Sequence, residues 1–355
     1  MAKLIWATLA YMLWDTAYTL CDVPIFGIVT TMTLDQKERV SLNSIGRIFA
    51  IFAGIVTGIL LPLVRQSLGG WATTVIVLSI LSAAMMIPMC LFAKERVIER
   101  EKARDGGAEE NYTLRDMVEC LRSNKYLLIF FAAPLISGLL NVGATWGLYI
   151  ARYCLGGEEI ASFVSMAVIV PTLIGAAIAV QLCKKYDKFK IFYFSYMFAL
   201  ILGIVRYIAG YENMMVYVIL NALGGFPLGI AAILQYQFTP DCYEYGQYKT
   251  GLKMRGVTFA AQTFFTKLNG AVAAAVSVFA LTLIGFKEGE GVIQAAGFAD
   301  KLWTFSCLGS IIGGICTLLI LHLYKLNDHD VQLMSKCNNG EITREEAEAQ
   351  MINRY

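Results

Sequence analysis

The chain alternates long apolar runs with short polar islands. A bilayer-spanning helix needs about 20 mostly apolar residues, and the runs at 3–33, 43–64, 70–93, 126–154, 159–183, 190–211, 213–239, 256–286 and 301–325 have that length. The pattern predicts an all-α integral membrane protein with about nine spans. Only Arg65 to Gly69 separate the second run from the third, and Glu212 with its neighbours separates the sixth from the seventh, so both pairs are expected to run antiparallel.

The islands carry the direction of insertion. Lys37 and Arg39, the cluster from Lys94 to Lys125, the group Lys184, Lys185, Lys188 and Lys190, and the group Lys249, Lys253 and Arg255 fall in alternate islands. The opposite islands hold little beyond Arg65, Lys287 and Lys301. Cytoplasmic loops collect lysine and arginine, which predicts a cytoplasmic tail at 326–355 and, with an odd number of spans, an external Met1. The longest island, 95–125, predicts a cytoplasmic linker between a three-span bundle at 1–94 and a six-span bundle at 126–325, with a short amphipathic helix near Thr113 to Leu121. In the tail, Thr343 with Glu346 fits a capping box and predicts a helix; the tail as a whole reads as a charged, solvated segment.

Composition narrows the function classes. Of 355 residues, 57% are hydrophobic and 16% charged, against about 25% charged in ordinary soluble domains. A net charge of +2 without a basic stripe gives no footprint for nucleic acid. Two histidines leave little room for a His-based metal site or catalytic triad. The nine cysteines include no CxxC pair and are irregularly spaced, so small buried hydrophobes are expected, not zinc ligands or a disulfide framework. The first run is too long for a cleavable signal peptide and contains Asp15 and Asp22.

Ionisable groups inside spans cost about 2.5–3.5 kcal/mol each on insertion scales and usually mark function. In the first span Asp15, Tyr18, Thr19 and Asp22 stand at i, i+3, i+4 and i+7, which puts them on one helical face. Two carboxylates, a hydroxyl and a phenol so placed suit a cation or a polyol, and function is the stronger reading over a patch that merely joins helices. Arg47 lies about one turn into the second span, within snorkelling reach of the inner surface. Lys267 lies near mid-depth in FAAQTFFTKLNGAVAAA, where it must find a carboxylate or water. Arg206, near the outer end of its span, is expected to snorkel. Gly224, Gly225, Pro227 and Gly229 suit either a bend or close packing. Asn141 and Trp146 face a cavity or fill a helix contact.

The stretch LWDTAYTLCDVPIFGIVTTMTLDQKERVSLNSIGRIFAIFAG, with Trp14, Tyr18, Thr19, Asp22, Pro24, TLDQKER and Arg47, resembles the glycoside–pentoside–hexuronide:cation symporters. These are the melibiose-permease-like branch of the major facilitator superfamily. A second stretch, PDCYEYGQYKTGLKMRGVTFAAQTFFTKLNG, carries Asp241, Tyr245, Gly246, Tyr248, Lys249 and Lys267 in the order of the family signature, and the resemblance covers essentially the whole chain. It implies a major-facilitator-like bundle in the inner cell membrane that imports a sugar or glycoside with Na+ or H+, without a cofactor. It implies cation binding by Asp22 and Thr19, to which Asp15 on the same helical face is added as a candidate from its own position, and sugar binding by Asp22, Tyr18, Phe26, Arg47, Thr263 and Lys267. No metal is expected beyond Na+ at that cation site.

Two departures stand out. Asp15 falls where relatives usually have a small residue, and the chain starts at what would be their fourth span, as if the first three were absent. The competing reading is therefore a shortened, transport-inactive membrane protein with a structural role or a need for a partner bundle. A membrane enzyme is not expected, because no metal-ligand spacing, nucleophile elbow or intramembrane histidine supports one.

Overall fold

The computed structural model describes residues 2–33, 38, 41–42, 45–46, 48–50, 52–54, 71–93, 114–157, 159–253, 255–287 and 294–355. Among them every regular element is a helix. The chain forms two compact units, Met1–Val23 with Tyr112–Tyr355, and Pro24–Asn111. The helices are α1 (Ala2–Met32), α2 (Trp71–Phe92), α3 (Leu114–Ser123), α4 (Lys125–Leu140), α5 (Gly147–Cys154), α6 (Glu159–Leu182), α7 (Lys188–Ala209), α8 (Met214–Leu234), α9 (Phe238–Thr250), α10 (Arg255–Leu283), α11 (Phe298–Leu321), α12 (Asp328–Asn338) and α13 (Arg344–Gln350).

Five stretches among the described residues are long and apolar enough to cross a membrane: Phe163–Leu182, Lys188–Ala209, Met214–Thr250, Arg255–Leu283 and Phe298–Leu321. Thr73–Met89 and Lys125–Leu140 are shorter apolar helices. Much of the predicted span 43–64 lies outside the described residues. The predicted span 126–154 is not one continuous helix. It breaks at Asn141 into a 3₁₀ turn, Val142–Thr145, before α5 resumes. The break has polar anchors: Asn141 Oδ1 accepts from Ser310 Oγ at 2.6 Å, and Trp146, fully buried, donates from Nε1 to Ser277 Oγ at 2.8 Å. Both residues make helix contacts inside their unit.

The glycine cluster in α8 is a packing device. Cβ atoms added at Gly225 and Gly229 would run into the carbonyls of Val168 and Thr172 on α6, and one at Gly175 would meet the carbonyl of Phe226. Small residues let backbones approach this closely where lipid supplies no hydrophobic drive for helix association. Gly224 faces open space.

The predicted amphipathic helix is present as α3, and the predicted capping box opens α13: Glu346 N–H donates to Thr343 Oγ1, and Thr343 N–H donates to Glu346 Oε2 at 2.8 Å. The solvated tail is not what the structure shows. Asp330 is fully buried and accepts from the amides of Ile352 (2.8 Å) and Asn353 (3.1 Å), from Tyr355 Oη (2.8 Å) and from Asn327 Nδ2 (2.7 Å). The Tyr355 ring lies 5.9 Å from that of Tyr126 and 6.0 Å from that of Tyr245. This docked tail covers α9, whose polar sequence predicts a loop between two spans. Asn338 Nδ2 donates to the Glu244 carbonyl at 2.9 Å, and every residue from Phe238 to Tyr248 is buried. Lys188, at the start of α7, ties the layers together: its Nζ lies 2.7 Å from Asp241 Oδ2 of α9 and 3.0 Å from Asp328 Oδ1 of α12.

Two outcomes follow from this packing. Gly229→Val is expected to lower stability in detergent by about 1–3 kcal/mol through overpacking, whereas Gly224→Ala leaves the melting temperature unchanged or raises it slightly; equal effects would contradict the close approach of α6 and α8. For the tail, burial alone would raise the Asp330 carboxyl, but the hydrogen bonds from Ile352, Tyr355, Asn353 and Asn327 outweigh it and hold the group below its ordinary range. A lowered folded-state value stabilises above the ordinary carboxylate range, and that contribution is lost as pH falls through the folded value. Proteolysis of 326–355 should therefore accelerate on acidification, and Asp330→Asn should loosen the tail at neutral pH while flattening its acid response.

Candidate functional site

α1 places Asp15, Tyr18 and Thr19 within one turn of each other, and the 3.6-residue repeat turns them to one side. Thr19 Oγ1 donates to the Asp15 carbonyl at 2.8 Å, a local bond that fixes its hydroxyl. α10 places Thr263 and Lys267 four residues apart on another helix of the same unit. Lys267 Nζ reaches α1 and donates to Asp15 Oδ1 at 2.6 Å, to the Asp15 carbonyl at 3.1 Å and to Thr19 Oγ1 at 2.6 Å. It also lies 4.8 Å from the centre of the Tyr18 ring. The ammonium thus has three oxygens and an aromatic face, which together replace the water it gives up.

The side chains of Lys267 and Asp15 keep 28% and 36% exposure, so the pair is half-buried and reachable by a small polar ligand. Thr263 is buried one turn before Lys267. The side chains of Asp22 and Phe26, and Arg47 as a whole, lie outside the described residues; the backbone of α1 continues helically through 22 and 26. Of the candidate residues, the structure therefore brings together Asp15, Tyr18, Thr19 and Lys267. The carboxylate on Lys267 is Asp15, the acid that the sequence marked as a departure.

The sequence reading missed an aromatic ladder beside this cluster. Trp14 stacks on Tyr18 with centroids 5.8 Å apart and an interplanar angle of 22°, and Tyr11 lies 5.7 Å beyond Trp14. All three rings are exposed. Their i, i+3, i+7 spacing was the available signal. Gln262, Thr266 and Asn269, expected from the sequence to surround Lys267, line a separate cavity of about 160 Å³ with Phe131 and Phe265, where Gln262 Oε1 and Asn269 Oδ1 are buried without a hydrogen-bond partner among the described residues. No group of three or more His, Cys, Asp or Glu side chains among the described residues could hold a metal ion.

Helices long and apolar enough to cross a membrane, five of them among the described residues, define the chain as an all-helical membrane protein. Residues 1–328 match the family described as MFS/sugar transport protein, and the chain belongs to that family. Family membership sets it among transporters and apart from enzymes. It is 26% identical to the uncharacterized symporter YnaJ of Bacillus subtilis (strain 168), an alignment covering 83% of this chain and 65% of YnaJ. It is 22% identical to the inner membrane symporter YicJ of Escherichia coli (strain K12), covering 93% of this chain and 72% of that protein. A lactose permease of Lactobacillus helveticus is 25% identical, covering 95% of this chain and 55% of the permease.

The pair carries a direct stability test. Lys267→Met leaves the Asp15 carboxylate without its counter-charge, and Asp15→Asn does the reverse to the ammonium. Each single variant should lose about 1–3 kcal/mol, between the values for exposed and fully buried pairs, and the double variant should recover part of that loss. Additive losses in the double-mutant cycle would show that the two groups do not interact.

Proposed function

We propose that this chain is a symporter that imports a sugar or glycoside together with a monovalent cation, Na+ or H+, by alternating access. The observation that carries the reading is the seat of Lys267 Nζ among Asp15 Oδ1, the Asp15 carbonyl and Thr19 Oγ1. These oxygens suit a monovalent cation, and the lysine ammonium stands among them as an internal one. An incoming cation competes with Lys267 for Asp15 and Thr19. Once displaced, Lys267 turns its three donors to the hydroxyls of a sugar, whose ring packs on the exposed faces of Trp14 and Tyr18.

Each ligand thereby favours the other, and that linkage is reciprocal by thermodynamic necessity. In this reading Asp22, one turn beyond Thr19 on α1, supplies a second carboxylate where the two sites meet, and Thr263, Phe26 and Arg47 complete the sugar contacts. The names of relatives support the sugar class, since they include the lactose permease and an isoprimeverose transporter of Lactiplantibacillus pentosus. The lysine and arginine bias of the loops supports an inner-membrane protein with a cytoplasmic tail and an external Met1.

Sugar binding measured by calorimetry, with and without Na+ and across pH, tests the mechanism. Lys267→Gln removes the internal competitor, so cation affinity should rise while sugar affinity falls at least tenfold, about 1.4 kcal/mol, and cation stimulation disappears. Asp22→Asn should likewise abolish stimulation. If both variants keep the wild-type response of sugar affinity to cation, the coupling assigned to these residues is wrong.

A further inference from the structure

Arg206 sits in the last turn of α7, where a long cationic side chain ordinarily reaches out to interfacial water. It does not do so here. It lines a cavity of about 460 Å³ walled by α4, α6, α7, α8 and α11, within one of the two units. Its Nη1 donates across to Asn221 Oδ1 of α8 at 3.3 Å, its Nε is buried without a hydrogen-bond partner, and the Cys307 thiol of α11 lies beside the guanidinium. Among the described residues no carboxylate lines this cavity and none forms an ion pair with Arg206.

The neighbouring polar groups are uncharged. Asn221 spends its oxygen on Arg206 and its Nδ2 on the Tyr217 carbonyl at 2.8 Å. Asn141, whose Oδ1 lies 2.6 Å from Ser310 Oγ, lines the same cavity. The remaining wall carries the hydroxyl residues Ser137, Ser195 and Tyr196 and an apolar side with Leu200, Leu220 and Ile311. The volume falls within the roughly 300–1,000 Å³ typical of ligand pockets. It equals about fifteen waters at their liquid volume, far more than one unpaired guanidinium nitrogen requires.

Arg206 thus has no counter-charge among the described residues, and a cation held inside a helical bundle is stabilised by an anion brought to it. We propose that this cavity binds an amphiphilic oxyanion, with a phosphate or carboxylate on Arg206 and a short apolar body along the leucine wall. The proposal is independent of the sugar site, because its test reads anion binding and not transport. One phosphate chemistry has two sources, the headgroup of an anionic bilayer lipid or a soluble alkyl phosphate.

Native mass spectrometry of the full chain in neutral detergent separates them, with phosphatidylglycerol, phosphatidylcholine, hexyl phosphate and inorganic phosphate as probes. The wild type should retain phosphatidylglycerol or hexyl phosphate in preference to the other two, and Arg206→Gln should weaken that binding at least tenfold. Gly224→Leu fills the cavity from a position whose Cβ meets nothing within 4 Å and keeps the charge; it should lose the ligand as well, and it carries the test should Arg206→Gln fail to fold. Retention of phosphatidylglycerol alone identifies the lipid as the source, and equal retention of hexyl phosphate identifies a soluble one. Wild-type binding in every folded variant, or no preference for either anionic amphiphile, overturns the proposal.

Discussion

A charge carried into hydrocarbon has to be answered there, and the arrangement of this protein follows from how each one is answered. Lys267 would cost about 2.5–3.5 kcal/mol on insertion scales if left alone. Asp15 and Thr19 answer it with oxygens at 2.6 Å, and Tyr18 adds its ring face. That requirement fixes the rotation of α1 and the height at which α10 crosses it. A shift by one helical residue in either would leave an ammonium and a carboxylate facing lipid. Half-exposure of the pair keeps the contact exchangeable, which a sealed ion pair would not be.

The same rule operates with a different result at the base of the helices. Lys188 is 4% exposed and is met by two carboxylates, Asp241 and Asp328, one from α9 and one from the tail helix α12. Here nothing is exchangeable, and the cluster acts as a rivet. It explains why the tail belongs to the fold: α12 brings Asp328 to Lys188, and Asp330, two residues on, collects the final residues of the chain. The charged composition of the tail measures what it must satisfy and not how much water it meets.

What could be read from the sequence was what depends on local period. The placing of Asp15, Tyr18 and Thr19 on one side of α1, the existence of most long helices and the capping box at Thr343 are short-range patterns, and the structure has them. Which carboxylate meets Lys267 was not legible, because the sequence offers Asp15 and Asp22 at i and i+7 and only the setting of α10 against α1 brings Asp15 to the lysine. α9 was hidden for a related reason. Its sequence, FTPDCYEYGQYKT, is polar enough to resemble a loop, and its burial comes from α12 and the tail, far along the chain. The break at Asn141 was masked by apolar residues on both sides, and its cause, Ser310, lies 169 residues away.

The two polar sides of α10 bear on how this site can open. At 100° per residue, Gln262, Thr266 and Asn269 cluster on one side, and Thr263 and Lys267 lie about 120° around the helix. The first group faces the cavity shared with Phe131 of α4, and Asn269 packs so closely on Gly138 that no Cβ fits there. Rotating α10 to withdraw Lys267 from Asp15 would disturb the close packing of Asn269 on Gly138 of α4. Rotation is therefore the expensive route. Rotamer change of the four-carbon lysine stem costs far less and leaves the α4–α10 contact intact. In the proposed mechanism, exchange of partners at Asp15 would accordingly be a side-chain event on a fixed helix, with α10 as a rigid mount and Lys267 as the moving part.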